Sequence, residues 1–410
     1  MKHVKFFIPI ICAAAVAFYA FSYNQPSKTQ QTESVLAQTL LQPSSPHVFV
    51  GAERTDEYLP HLQGKQVAIV GNQTSMVGKT HLVDTLLRSG ISVKKIFTPE
   101  HGFRGTDDAG ASVNNAIDHI TGLPLISLYG KHKKPTTEDL QGIDIVVFDI
   151  QDVGARFYTY ISTMHYVMEA CAENKLEFLV LDRPNPNGFY VDGPVLKPTC
   201  TSFVGMHPVP IVHGMTIAEY AQMINGEQWL RNGVQCTLRV VTCKGYDHSV
   251  KYQLPVAPSP NLPNMQAIYL YPTLCLFEGT AMSVGRGTDF PFQVIGHPQF
   301  KDSSFVFVPE SKTGASNPLY EFKKCFGIDY RTYPTDSIHQ LDISIWKYAY
   351  KNFGGQEAFF NRFFINLSGT PELQRSLELG LSEEKIRESW QQDLALFKKT
   401  RAKYLLYKDF

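Results

Sequence analysis

The sequence predicts an α/β protein: an open, mostly parallel sheet flanked by helices, joined to a smaller α+β domain. Three observations predict it. Short continuous apolar runs recur along the first half, as strands buried on both faces require. Helix-like segments lie between them, the alternation that builds a parallel sheet. The second half then changes character, becoming dense in proline and glycine while remaining rich in apolar residues.

Residues 1–22 read as an export signal or membrane anchor. Lys2 and Lys5 supply a positive flank, and residues 6–21 form an apolar core. Small residues at Ala15 and Ala17, or at Ala20 and Ser22, would admit a signal peptidase. The run is short for a membrane span, which takes roughly 20 residues, but an uncleaved segment would hold the chain at a membrane. Residues 23–46 are polar and poorly periodic, a flexible linker.

The α/β domain is expected over residues 47–255. Its strands are "QVAIVGN", "VKKIFTPE", "LPLISLYG", "IDIVVFDIQD", "LEFLVLDRPNP" and "VPIVHG", followed by "CTLRVVTCKGY". Leu82, Leu86 and Leu87 share one face of a helix that stops at Gly90. "YISTMHYVMEACAEN" and "GMTIAEYAQMINGEQWL" supply two further helices. The smaller α+β domain is expected over residues 256–410. It closes with a helix carrying Ile386, Trp390, Leu394 and Phe397 at helical spacing, and Glu383 and Glu384 in its first turn complement the dipole.

Composition narrows the function. The 410 residues hold 38 lysines and arginines against 38 acids, so no bulk charge draws the chain to nucleic acid. Beyond the export signal six cysteines remain, expected as buried free thiols, with a Cys236–Cys243 bridge as the alternative. No Cys-x-x-Cys pair or His-Glu-x-x-His helix is present, so no metal framework is expected. "VGNQTSMVGKT" is similar to a phosphate-binding loop, but Gln73 stands where that loop needs glycine.

Ligands of open α/β sheets sit beyond the carboxyl ends of the strands. Those ends hold Glu100 and His101, Asp149 and Asp152, Asp182, Arg183 and Asn185, and His213. Glu100 lies in "FTPEHGFRG", where Pro99 stiffens the backbone and Gly102 permits unusual geometry. Beside Phe97 and Phe103, such an acid could have its pKa raised by desolvation and serve as a general acid; a structural bond to a loop amide is the alternative. Asp149, Asp152 and Arg156 could pair carboxylates with an orienting arginine, or Asp152 could cap the next helix with Arg156 neutralising it. Glu278 in "FEGT" and Arg286 in "GRGTDFPF" form a second cluster, where an arginine between glycines can approach an anion bidentately. Asn261 in "SPNLPN" is a hydrogen-bond partner for a sugar hydroxyl.

These blocks, with "LDRPNPNG", "VDGP", "SFVG", "HGMT" and the closing "YLLY", resemble the NamZ-type exo-β-N-acetylmuramidases, bacterial cell-wall glycoside hydrolases. The resemblance runs from about residue 48 to the last residues. It implies a Rossmann-like domain joined to a smaller one at a cleft, and no cofactor. It implies release of N-acetylmuramic acid from the non-reducing ends of peptidoglycan fragments, with Glu100 as the acid. Glu278, Asp149 and Asp152 are candidates for the second group that glycoside hydrolysis usually needs, and the substrate's own acetamido group is another. Arg156, Arg183 and Arg286 compete to bind the lactyl carboxylate. A wall-binding protein that holds muramyl fragments without cutting them is the alternative. Either reading places the chain in the periplasm or at the cell surface of a bacterium.

Overall fold

Seven short strands assemble into one twisted sheet in the order β3-β4-β2-β1-β5-β6-β7. They are β1 (Gln66–Gly71), β2 (Ser92–Thr98), β3 (Ala116–Ile117), β4 (Pro124–Ser127), β5 (Ile145–Asp149), β6 (Glu177–Leu181) and β7 (Thr237–Val241). All neighbours run parallel except β3, which pairs antiparallel with β4 at one edge. This is a computed structural model, and it describes residues 47–100, 102–103, 116–355 and 358–410. The expected export signal, the linker and His101 lie outside the described residues.

The strands are buried as their composition demands. All five residues of β5, Ile145 to Asp149, are buried, because helices cover both faces. On one face α1 (Thr55–Leu62) and α2 (Leu82–Arg88) pack over Val67, Ile69, Val147 and Leu179. On the other, α3 (Tyr160–Glu173) and α4 (Ile217–Gly226) cover Ala68, Val70, Val146 and Phe178. α2 begins where the His81 ring accepts the Val83 amide at 3.2 Å, and Gly90, at φ +75°, lies just past its end. α4 opens with a reciprocal cap: Thr216 accepts the Glu219 amide and the Glu219 carboxylate accepts the Thr216 amide.

The second half adds α5 (Met265–Leu274), a 3-10 turn over Cys275–Gly279 and an antiparallel sheet of β8 (Val294–His297), β9 (Phe305–Phe307) and β10 (Cys325–Asp329). Among the described residues, five helices follow: α6 (Ile343–Asn352), α7 (Phe363–Ser368), α8 (Pro371–Glu378), α9 (Glu383–Glu388) and α10 (Gln391–Arg401). Their apolar faces join the sheet's α3/α4 side in a single cluster, so Val48–Phe410 forms one compact unit.

Two expectations change. "VPIVHG" is not a strand: Val212 makes isolated bridges to Ala155 and Asp192. Pro208 and Pro210 remove alternate amide donors, which a sheet interior cannot tolerate. The closing helix is two helices, α9 and α10, with a break at Ser389 and Trp390. Trp390 is turned inward there and donates its indole N–H to Asp192 at 3.0 Å. The six cysteines among the described residues are free and buried.

The last residues return to the sheet. Tyr407, 225 positions beyond Asp182, donates its hydroxyl to that buried carboxylate at 2.5 Å. The Leu406 amide reaches buried Glu219 at 2.8 Å, and Asp409 pairs with Arg401 through two 2.7 Å bonds.

Candidate active site

Beyond the carboxyl ends of the strands the sheet reverses its winding between β1 and β5, and there a crevice opens. Its far wall is held by three side chains that make four hydrogen bonds to one proline-rich segment. Tyr158 and Tyr160 both donate to the Pro258 carbonyl, and Gln73 donates to Ala257 and Pro258. The resulting cleft, about 200 Å³, takes Glu100, Tyr129 and Thr159 from the sheet side and Asn261, Glu278 and Arg286 from the other.

Glu100 follows β2 by two residues and is half-buried. Thr159 donates its hydroxyl to Glu100 Oε2 at 3.0 Å, and the Tyr129 hydroxyl also bonds to the carboxylate. Thr159 is the N-cap residue of α3 yet makes no side-chain cap, because its hydroxyl is committed to Glu100. The positive end of α3 therefore lies beside an acid. Burial, reinforced by the negative charge of Glu100, holds the Tyr129 phenol well above its ordinary range, so it remains a donor. Phe97 and Phe103 do not line the cleft: Phe97 is packed in the core, and Phe103 lies edge-on to His81 at 4.8 Å. The rings lining the cleft instead include Tyr129, Tyr158, Phe203, Tyr271 and Phe292.

Across the cleft Arg286 Nε donates to Glu278 Oε1 at 2.6 Å, with the guanidinium 5.0 Å above the Phe292 ring. The other Glu278 oxygen faces the Cys275 thiol at 3.6 Å. Asn261, which lines the cleft, donates a side-chain N–H to the Gly314 carbonyl at 2.8 Å.

Exo-beta-N-acetylmuramidase NamZ, N-terminal, matches residues 67–266, and the C-terminal counterpart matches residues 269–407. The chain belongs to the NamZ family. A Bacillus subtilis (strain 168) relative, peptidoglycan beta-N-acetylmuramidase NamZ, is 38% identical over 372 residues, covering 86% of this chain and 89% of that protein. Two crystal structures of DUF1343 family proteins from Bacteroides fragilis NCTC 9343 have the same fold. They show TM-scores of 0.83 and 0.77 at 46% and 30% identity, each covering 89% of this chain and all of the other.

In this NamZ family chain, seven of the residues expected at the site do not line the cleft. Asp149 and Arg183, 0% and 4% exposed, form a bidentate pair at 2.6 and 2.9 Å, with Arg183 also donating to the Met76 carbonyl. Arg156, fully buried, donates to the carbonyls of Pro194, Val209 and Leu367, each at 2.8 Å. Burial lowers its pKa to about 10. Gly369, at φ +77°, lets the backbone pass this guanidinium; a Cβ there would stand 2.5 Å from Arg156 Nη2. Asp182 accepts the Ala218 amide as well as Tyr407, and burial pushes its carboxyl up to about 7. Asn185 braces two turns, accepting the Asn187 amide and donating to Met215.

Asp152 and His213 are also buried, 3.9 Å apart. Burial drives His213 down to about 3, so its ring is neutral. Asp152 accepts the Gly154 amide at 2.7 Å, and burial pushes its carboxyl from 3.8 up to about 7 against the pull of the Gly154 and Val153 amides. The folded carboxyl thus keeps its proton across a window in which the unfolded one loses it. Unfolding free energy must fall as pH rises through that window. Asp152→Asn is expected to remove this loss. Its Tm relative to wild type should climb from about pH 4 to about pH 7 and then level off. A difference that stays flat with pH would contradict the proton bookkeeping.

The missed cleft residues left no signal in the sequence: Tyr129 sits in "LISLYG", Thr159 in "FYTY" and Phe203 in "SFVG", but a lone ring or hydroxyl carries no mark of the cavity it faces.

Proposed function

We propose that this chain is an exo-acting glycoside hydrolase that releases N-acetylmuramic acid from the non-reducing ends of peptidoglycan fragments. The observation that carries the mechanism is the position of Glu100 in the cleft, seated on two hydroxyl donors. A protonated Glu100 would deliver its proton to the bridging oxygen as the glycosidic bond lengthens. Thr159 and Tyr129 would then stabilise the carboxylate left behind, since hydrogen bonds to an ionised group strengthen as charge develops. Aromatic rings on the cleft walls suit the apolar faces of a pyranose, and Asn261 offers an acceptor to a ring hydroxyl. Glu278 and the substrate's own acetamido group are the candidates to meet the oxocarbenium-like charge. The family match supports this reading, as does the activity named for the Bacillus relative.

With residues 1–22 as an export signal, the enzyme would work in the periplasm or at the cell surface, recycling or scavenging wall sugars. The experiment uses two isomeric disaccharides. Free N-acetylmuramic acid should appear from a disaccharide with that sugar at its non-reducing end. None should appear when N-acetylglucosamine occupies that end. Tight binding of the first disaccharide without any cleavage would instead identify a wall-binding protein.

A further inference from the structure

We infer that Arg286, aimed by Glu278, is the specificity-determining residue that reads the lactyl carboxylate of the muramyl unit. The assignment rests on the muramidase reading above and adds how the site tells muramic acid from glucosamine.

Among the described residues lining the cleft, Arg286 is the lysine or arginine present. The two arginines that the sequence offers beside it are already consumed, Arg183 by Asp149 and Arg156 by three carbonyls. Arg286 is not. Its Nε is held by Glu278, which fixes the plane of the guanidinium, and Phe292 supports that plane from one side. Its Nη1 is buried with no hydrogen-bond partner among the described residues. A buried donor left unpaired is costly, and a charged donor more so, which favours a ligand acceptor at that position.

The local backbone is built to hold it there. Gly285 and Gly287 adopt φ of +79° and +80°, and a Cβ on either would fall 2.6 Å from Val294 or from Glu310 and Pro318. The turn places Arg286 with Nε on Glu278 and leaves Nη1 without a partner among the described residues, a donor for a planar acceptor. A carboxylate matches that fork in geometry and charge; a neutral hydroxyl matches neither. N-Acetylmuramic acid differs from N-acetylglucosamine by one lactyl ether, and that ether carries such a carboxylate.

Calorimetric binding of three sugars to the full chain tests this: N-acetylmuramic acid, its lactyl methyl ester, and N-acetylglucosamine. Wild type is expected to bind the acid about 10–100-fold more tightly than the ester. Arg286→Gln should bind acid and ester alike, and a thermal melt matching that of wild type reports that the variant is folded. Arg286→Lys should recover part of the preference, because a point charge lacks the fork. Lys133, whose ammonium lies 4.3 Å over the Phe203 ring, is the control. If Lys133→Gln abolishes the preference and Arg286→Gln retains it, the assignment is overturned. A wild-type chain that cleaves muramyl disaccharides yet binds acid and ester equally overturns the arginine role while leaving the muramidase reading intact. Absence of cleavage with the preference present removes the hydrolase reading and keeps the arginine role.

Discussion

Glu100→Gln is expected to lower kcat on a muramyl disaccharide by about 10²–10⁴, with KM little changed. Glutamine keeps an oxygen for the Thr159 hydroxyl, so the local geometry survives, but it has no proton to give. The size of the loss should depend on the leaving group. A natural sugar alcoholate needs protonation to depart, whereas 4-nitrophenolate leaves readily without it. The variant should therefore retain much more of its activity on 4-nitrophenyl N-acetylmuramide than on the disaccharide. Steady-state kinetics on both substrates decides the matter. Equal losses on the two would assign Glu100 some role other than proton donation, and unchanged rates would remove it from the chemistry.

The second large effect concerns stability. Asp149→Ala is expected to destabilise the fold by about 3–5 kcal/mol, because it strands the Arg183 guanidinium uncompensated in the sheet. Arg183 is 4% exposed and keeps one other described bond, to the Met76 carbonyl at 3.0 Å. Replacing both residues at once, as Asp149→Leu with Arg183→Met, should cost much less than the single change, since no orphan charge remains. Urea unfolding of the three variants measures this. A site role for Asp149 would show the reverse pattern, normal unfolding with impaired KM.

That contrast shows what residue patterns can and cannot convey. The apolar runs revealed β1, β2, β4, β5 and β6, most plainly β5, whose five residues are all buried, and "CTLRVV" marked β7. The run around Ile211 misled, since apolar composition outweighed the two prolines that forbid a ladder. At the strand ends, a one-dimensional pattern identifies polar residues without their partners. Asp149 and Asp182 look alike in sequence to Glu100: each is an acid closing an apolar run. They differ in what approaches them, an arginine one strand over for Asp149 and a tyrosine 225 residues later for Asp182. Glu278 and Arg286 were legible because glycine-framed charges mark tight turns near ligands. Tyr129 and Thr159 were not, since their importance comes from facing Glu100 in space.

The bond from Tyr407 to Asp182 has a consequence for biosynthesis. At ribosomal speeds of about 5–20 residues per second, an interval of 225 residues separates the two partners by roughly 11–45 s. Over that delay Asp182 lacks the tyrosine hydroxyl, and Glu219, 187 residues ahead of Leu406, lacks that residue's amide for a somewhat shorter time. Half-translated chains therefore carry open acidic sockets, and final annealing of the parallel sheet waits for synthesis to pass Tyr407.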